Sequence, residues 1–187
     1  MPGIRNVHQR KIQAPAGSVG ALLDRLASDD DPLWPSPTWP RLHLDGGLAV
    51  GASGGHGPIR YTVAEYEPGR RVRFSFDPPG GLVGFHELVI EPVGESACVL
   101  RHNLVARAGP RAFTRWHVVI RWLHDAVVED LLDNTQRAAT GLLPAPARAS
   151  AWVRLLRAGL SRTARRRPTS SEASRVTVGG RTRSGGR

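Results

Sequence analysis

The chain has 187 residues and a formal net charge of +10, with 40% hydrophobic and 22% charged residues. This composition is typical of a globular protein, and no apolar run approaches the roughly 20 residues that a membrane-spanning helix needs. The single cysteine, Cys98, excludes an internal disulfide and a cysteine-based zinc cluster.

The amino-terminal segment predicts an edge strand followed by a helix, and it lacks the layout of a signal peptide, so we expect a cytoplasmic protein. Val7–Gln13 alternates along its length but is mostly polar, which favours an edge or partly exposed strand. Pro15 is tolerated in the first turn of a helix, so we expect a helix to begin there. One face of that helix carries apolar residues at spacings of three and four, namely Val19, Leu22, Leu23 and Leu26.

Residues 33–40 are rich in proline and contain two tryptophans, Trp34 and Trp39, so this segment is not a regular helix. The two tryptophans have two interpretations. They pin a loop over the edge of the core, or they line the mouth of a cavity.

Residues 41–107 predict a series of short strands separated by turns rich in glycine, proline and aspartate, including breaks at residues 54–58 and 77–81. Short links of this kind favour antiparallel neighbours. The predicted strands are Leu42–Leu44, Leu48–Ala52, Ile59–Tyr66, Arg71–Phe76, Phe85–Ile90 and Ala97–Ala106.

The longest helical pattern covers Thr114–Thr140 and stops at Gly141. Its apolar face carries Trp116, Val119, Ile120, Leu123, Val127 and Leu131. Another face carries four charged residues at intervals of four, which we expect to face solvent: Arg121, Asp125, Glu129 and Asp133. The order of elements predicts an α+β protein in which one curved antiparallel sheet wraps a long helix and leaves a hollow between them.

Three short segments are informative in addition to the order of the predicted elements. They are residues 54–61 (Gly-Gly-His-Gly-Pro-Ile-Arg-Tyr), residues 65–72 (Glu-Tyr-Glu-Pro-Gly-Arg-Arg-Val) and residues 84–87 (Gly-Phe-His-Glu). With them, residues 6–141 resemble the START-like superfamily (SRPBCC, polyketide cyclase/dehydrase-like). The resemblance implies the helix-grip fold, with a deep apolar cavity between the sheet and the long helix. It also implies binding of lipids, sterols, polyketides or other hydrophobic small molecules. Only some members are enzymes and no single catalytic triad defines them, so the fold does not settle the function.

His86 and His102 lie in two predicted strands joined by a turn at residues 93–95. A three-residue loop would place the two rings directly opposite each other on the buried face. A two-residue loop would instead place them on opposite faces of the sheet. On the buried face they could bind a ligand carbonyl or phenol, or transfer protons during ring closure. The alternative is that they bond only to backbone or water.

We predict neither a metal site nor a cofactor. His117 and His124 are seven residues apart on the long helix, about 10.5 Å, which is too far for one ion without other ligands. The glycine-rich segments precede strands, whereas a phosphate-binding loop precedes a helix.

The carboxyl-terminal part of the chain carries the whole net charge. Residues 1–144 hold 15 basic and 15 acidic residues, whereas residues 145–187 hold 11 arginines and one acid. The pattern at residues 148–167 predicts a basic amphipathic helix, which either docks on the body or lies on an anionic membrane or another protein. Residues 168–187 have the composition of a disordered tail. The predicted division is therefore a ligand-binding domain (1–144), a basic helix and linker (145–167) and a tail (168–187).

Binding of a lipid- or polyketide-like molecule between the sheet and the long helix is the predicted function. One alternative is a cyclase or dehydratase that uses the cavity histidines, and another is weak binding of anionic membrane or nucleic acid through residues 148–187. The sequence indicates neither the ligand, nor catalytic residues, nor the oligomeric state. The candidate cavity residues are Trp34, Trp39, Tyr61, Phe74, His86, Leu88, His102, Trp116, Ile120, Leu123 and Val127.

Overall fold

A computed structural model describes residues 1–76, 81–143 and 145–165. Its strands form one antiparallel sheet in the order β1-β7-β6-β5-β4-β3-β2. These are β1 (Gly3–Ile12), β2 (His43–Leu44), β3 (Ser53–His56), β4 (Ile59–Glu67), β5 (Arg71–Phe76), β6 (Leu82–Pro92) and β7 (Cys98–Ala108). The first strand lies at one edge of the sheet, as its polar sequence predicts.

The helices lie at the two ends of the chain: α1 (Ala16–Leu23), α2 (Pro110–Arg115), a π-helical segment (Trp116–Ile120), α3 (Arg121–Thr140) and α4 (Ala151–Arg165). The three consecutive pieces from α2 to α3 form one helical rod of 31 residues. Pro110 is suited to the first turn, where a missing N–H costs nothing. Gly141 ends the rod in the left-handed conformation (φ +71°), and its amide donates to the carbonyl of Arg137 at 2.8 Å.

The sheet and the rod enclose the apolar interior, which confirms the predicted α+β helix-grip architecture. One buried cluster joins the sheet to α1 and α3 and includes Leu23, Leu100 and Leu132. A second cluster lies around Trp116 and includes Leu104. No helix within the described ranges has the length and apolar character needed to cross a membrane.

The predicted strand at residues 48–52 is wrong, because these residues form turns and the strand follows at Ser53–His56. The predicted break at 54–58 is only partly right, because Gly57 and Pro58 form the turn between β3 and β4, whereas Gly54 and Gly55 lie in β3 and allow close strand pairing. A Cβ atom at Gly54 would overlap the carbonyl oxygen of His43 on β2. Glycine within a strand marks such close backbone approach as well as a turn.

Parts of three predictions lie outside the described residues: most of the break at 77–81, the last two residues of the basic helix at 148–167 and the whole tail at 168–187. The division into three parts therefore stays a prediction. Within the described chain, α4 packs on the body through Val153, which is 4% exposed, whereas Trp152 on the same helix is 42% exposed.

Candidate functional site

A cavity of about 190 Å³ lies between the sheet and the rod, and its wall is mainly apolar. For comparison, an engineered apolar cavity of about 150 Å³ binds benzene. This interior is therefore large enough for a molecule with one aromatic ring. The wall contains all eleven predicted cavity residues: Trp34, Trp39, Tyr61, Phe74, His86, Leu88, His102, Trp116, Ile120, Leu123 and Val127.

The two tryptophans of the proline-rich segment are both fixed in place and both part of the cavity wall. The Trp39 ring donates from Nε1 to Asp130 Oδ2 at 2.7 Å, and the Trp34 ring donates to the carbonyl of Pro40 at 2.9 Å. The guanidinium of Arg157 on α4 lies over the Trp39 ring, 4.7 Å from its centroid. The two tryptophans therefore pin the loop and also line the cavity, so both interpretations of this segment hold.

The predicted pairing of His86 directly with His102 is wrong. The strands β6 and β7 are joined by the five residues 93–97, and the register pairs His86 with Leu104 and His102 with Leu88. Because this register differs from the predicted one by two residues, both histidines stay on the same face of the sheet. Their ring centroids lie 5.6 Å apart, and both rings line the cavity.

His86 and His102 belong to a row of rings that crosses the cavity wall. The His86 ring stacks on Phe74 with centroids 4.9 Å apart and meets the edge of Tyr61 at 4.8 Å. His102 lies 5.0 Å from the ring of His124 on α3. The row therefore connects β5 and β6 to the rod through three imidazoles.

Burial keeps the cavity histidines uncharged at neutral pH. It lowers the pKa of His86 to about 3 and the pKa of His56 to about 4, and the proximity of other imidazoles adds to both effects. Burial also lowers the pKa of His102 and of His124. A neutral imidazole has one donor and one acceptor nitrogen, so each ring can bind either a ligand hydroxyl or a ligand carbonyl.

Several of these ring nitrogens lack a hydrogen-bond partner within the described part of the chain. They are Nδ1 of His102 and both ring nitrogens of His124, all of them buried. A buried polar atom without a partner costs about 1–3 kcal/mol. The cavity wall therefore offers hydrogen bonds that a ligand could complete.

Acidification is expected to destabilise the protein through His86. Its pKa is lower in the folded chain than the ordinary value of 6.5, so below pH 6.5 the unfolded chain binds the proton first and stability falls. His86 alone contributes about 1.4 kcal/mol of this loss per pH unit, or about 2 kcal/mol at pH 5, and the lowered pKa values of His56, His102 and His124 add to it. Urea denaturation between pH 7 and pH 5 measures it.

The matched variants for this prediction are His86→Phe and His43→Gln. The first removes the titrating group and should flatten the pH dependence by the same 1.4 kcal/mol or so per unit. The second replaces an exposed histidine and should leave the slope unchanged. Equal slopes for all three proteins would show that His86 does not titrate as its burial requires.

The charged face of α3 was expected to face solvent, and this expectation is wrong for three of its four residues. Asp125, Glu129 and Asp133 face β1, whose inward-pointing side chains alternate with its exposed ones. Asp133 is 5% exposed. Arg10 binds Glu129 at 2.9 Å and Asp133 at 2.7 Å, so the edge strand is attached to the rod by ion pairs.

His8 is the centre of this polar contact. Its Nδ1 lies 2.7 Å from Glu129 Oε1, and its Nε2 lies 3.1 Å from Asp125 Oδ1. Burial opposes the charge on the ring, but the two carboxylates outweigh it and raise the pKa of His8 to about 9. The hydrogen bond from His8 in turn lowers the pKa of Glu129.

Sequence reasoning missed His8 because it sought a partner for His124 on the same helix. The relevant signal lies in two elements at once. The inward positions of β1 carry Asn6, His8 and Arg10 at a period of two, and α3 carries carboxylates at a period of four. The two polar series match only when β1 lies along α3, as it does here.

No family model and no curated protein matches the chain. Solved structures do resemble it. Norcoclaurine synthase from Thalictrum flavum, in complex with dopamine and hydroxybenzaldehyde, aligns with a TM-score of 0.59 and 12% identity over 77% of this chain and 90% of that one. CalU16 from Micromonospora echinospora aligns with a TM-score of 0.54 and 16% identity over 85% of this chain and 84% of that one.

A protein from Thermobifida fusca aligns with a TM-score of 0.53 and 18% identity, over 72% of this chain and 94% of that one. At these identities the likeness concerns the fold. The helix-grip fold implied by the resemblance to the START-like superfamily is therefore confirmed.

Proposed function

We propose that the protein binds a small, uncharged, mainly apolar molecule that carries one hydrogen-bonding group, in the cavity between the sheet and the rod. The observation that carries this proposal is the unsatisfied Nδ1 of His102 and the unsatisfied ring nitrogens of His124, among the described residues, in a wall that is otherwise mainly apolar. Binding sites of this kind combine an apolar surface with a few convergent polar groups.

Two further observations support the proposal. The wall histidines are uncharged at neutral pH, which disfavours a strongly charged ligand and suits a hydroxyl or a carbonyl. Norcoclaurine synthase, which has the same fold, holds dopamine and hydroxybenzaldehyde, both small molecules with one aromatic ring. The predicted cyclase or dehydratase activity would use the same imidazoles as acid and base. The binding proposal requires only their hydrogen bonds.

The proposal is tested with p-cresol and p-xylene, which have nearly the same shape and differ by a hydroxyl in place of a methyl group. We expect the protein to bind both, as measured by calorimetry at pH 7 in the presence of EDTA. His124→Leu should weaken p-cresol binding about fivefold, the equivalent of one hydrogen bond of about 1 kcal/mol. The same change should not weaken p-xylene binding, because it removes no apolar contact.

The control is a pair of tryptophan variants, one of which fills the cavity with a larger side chain. Leu123 lies in the cavity wall, and Leu123→Trp should abolish binding of both compounds. Leu142 is 68% exposed, and Leu142→Trp should bind both as well as the unaltered protein does. Binding that survives Leu123→Trp, or an unaltered protein that binds neither compound, rules out this cavity as a ligand site.

A further inference from the structure

His8, His124 and Asp125 each offer a ligand atom, and these atoms lie within 4.8 Å of one another. His8 Nε2 lies 3.1 Å from Asp125 Oδ1, and His124 Nδ1 lies 3.7 Å from the same oxygen. Around a tetrahedral Zn²⁺ with bonds of about 2.0–2.1 Å, neighbouring ligand atoms are about 3.3 Å apart. Both observed separations are within about half an ångström of that value.

We propose that His8, His124 and Asp125 form a binding site for a divalent transition-metal ion of the Zn²⁺ type. Two imidazoles and one carboxylate favour zinc, cobalt, nickel or copper over magnesium and calcium, which prefer oxygen ligands alone. The set includes a histidine from the edge strand and two adjacent residues of the rod, so it exists only in the folded chain.

Unsatisfied polar atoms surround the proposed site. Neither ring nitrogen of His124 has a hydrogen-bond partner among residues 1–76, 81–143 and 145–165, and the same holds for Oδ1 of Asn6. The other end of the Asn6 amide donates to Asp125 Oδ1 at 2.8 Å. Buried groups without partners call for an explanation, and a bound ion provides one for His124.

The residues around the three ligands have the arrangement that metal sites commonly use. A metal-bound histidine usually donates its second N–H to a carboxylate, which fixes the orientation of the ring. Glu129 Oε1 lies 2.7 Å from His8 Nδ1, on the side of the ring opposite Nε2. Arg10 in turn holds the second oxygen of Glu129 at 2.9 Å.

The charge balance of the cluster favours a cation. Three carboxylates, those of Asp125, Glu129 and Asp133, face two guanidinium groups here, since Arg10 binds Glu129 and Asp133 and Arg121 lies 3.5 Å from Asp125. An ion bound at His8 Nε2 would displace the proton from that nitrogen to solvent, while His8 Nδ1 keeps its proton and donates it to Glu129 Oε1. The carboxylates of Asp125 and Glu129 would then offset the charge of the ion.

The test uses the full chain without a histidine tag, stripped with EDTA, dialysed and titrated with Co²⁺ at pH 8. We expect one Co²⁺ per chain, with the intense visible absorption of a four- or five-coordinate ion. Zn²⁺ should displace it, and Mg²⁺ should not. A protein that shows no such absorption at millimolar Co²⁺ would overturn the proposal.

Variants locate the ion. Asp125→Asn and His8→Gln should each weaken Co²⁺ binding by more than about tenfold, and Glu129→Gln by about tenfold or more, since loss of an outer carboxylate typically costs 10–100-fold. His117→Gln is the control, because His117 is exposed on the same rod and is not part of the site. Co²⁺ binding that is unchanged in Asp125→Asn and His8→Gln would also overturn the proposal.

This site and the ligand cavity can be tested separately. His124 lines the cavity but His8 and Asp125 do not, so Asp125→Asn should lose Co²⁺ and still bind p-cresol. If Asp125→Asn proves unfolded by circular dichroism, His8→Gln takes its place in both assays.

Discussion

Arg10→Met is expected to lower the free energy of unfolding by about 3 kcal/mol, measured by urea denaturation at pH 7 with EDTA. The arginine donates to Asp133 at 2.7 Å and to Glu129 at 2.9 Å, and the Asp133 side chain is 7% exposed. The variant leaves that buried carboxylate with a backbone amide, Ala147 N, as its remaining hydrogen-bond donor among the described residues. A buried charge without its ion-pair partner accounts for most of the loss.

The same substitution at an exposed pair is the control. Arg101 binds Glu91 at 2.8 Å, and their side chains are 32% and 48% exposed, so Arg101→Met should cost no more than about 1 kcal/mol. The double variant Arg10→Met/Asp133→Leu should recover part of the stability, because it removes the unpaired charge as well. Equal losses for Arg10→Met and Arg101→Met would mean that β1 is not held to the rod by this pair.

The sequence predicted which residues line the interior of this protein, because an error of two residues in strand register leaves each side chain on the same face of the sheet. His86 and His102 illustrate this, since their predicted register was wrong by two residues and their shared face was nevertheless right. In β5, Val72 and Phe74 are buried, so the alternation of that strand places its apolar residues on the same inner face. All eleven predicted cavity residues consequently lie along one cavity, although their part in ligand binding stays a prediction.

The polar contact between β1 and the rod could not be predicted with the same rule. Charged residues at intervals of four usually mark the solvent side of a helix, and nothing in α3 alone shows that a polar strand covers that side. Asp125 and Glu129 are partly buried only because β1 presents Asn6 and His8 to them. The position of an edge strand depends on pairing across the whole sheet, in this case with β7.

The π-helical segment escaped prediction for a related reason. Trp116 and Ile120 fit an ordinary helical period, and the extra residue per turn has no signature in the sequence. The segment contributes Trp116, Val119 and Ile120 to the cavity wall. Such segments are frequent at functional sites, which agrees with the position of the proposed ligand.

Gly20→Ala is expected to lower the free energy of unfolding by about 3 kcal/mol, because α1 packs directly on the turn between β4 and β5. A Cβ atom at Gly20 would overlap the carbonyl oxygen of Gly69 and lie 2.8 Å from its Cα atom. This is backbone, which cannot rotate away as a side chain can. Asp24 holds the turn in place, since its Oδ1 accepts from the Tyr66 hydroxyl at 2.8 Å and from the Gly69 amide at 2.7 Å.

Gly17→Ala on the same helix is the control, because it separates the cost of this close contact from the general effect of alanine on helix stability. Apart from its chain neighbours and the adjacent backbone of its own helix, no described atom lies within 4 Å of a Cβ atom there, so Gly17→Ala should raise stability, by up to about 1 kcal/mol, through its higher helix propensity. The two variants should therefore shift the urea midpoint in opposite directions. A stabilising Gly20→Ala would mean that α1 lies further from the turn. In that case Gly20 would not be what allows α1 to pack closely against the sheet.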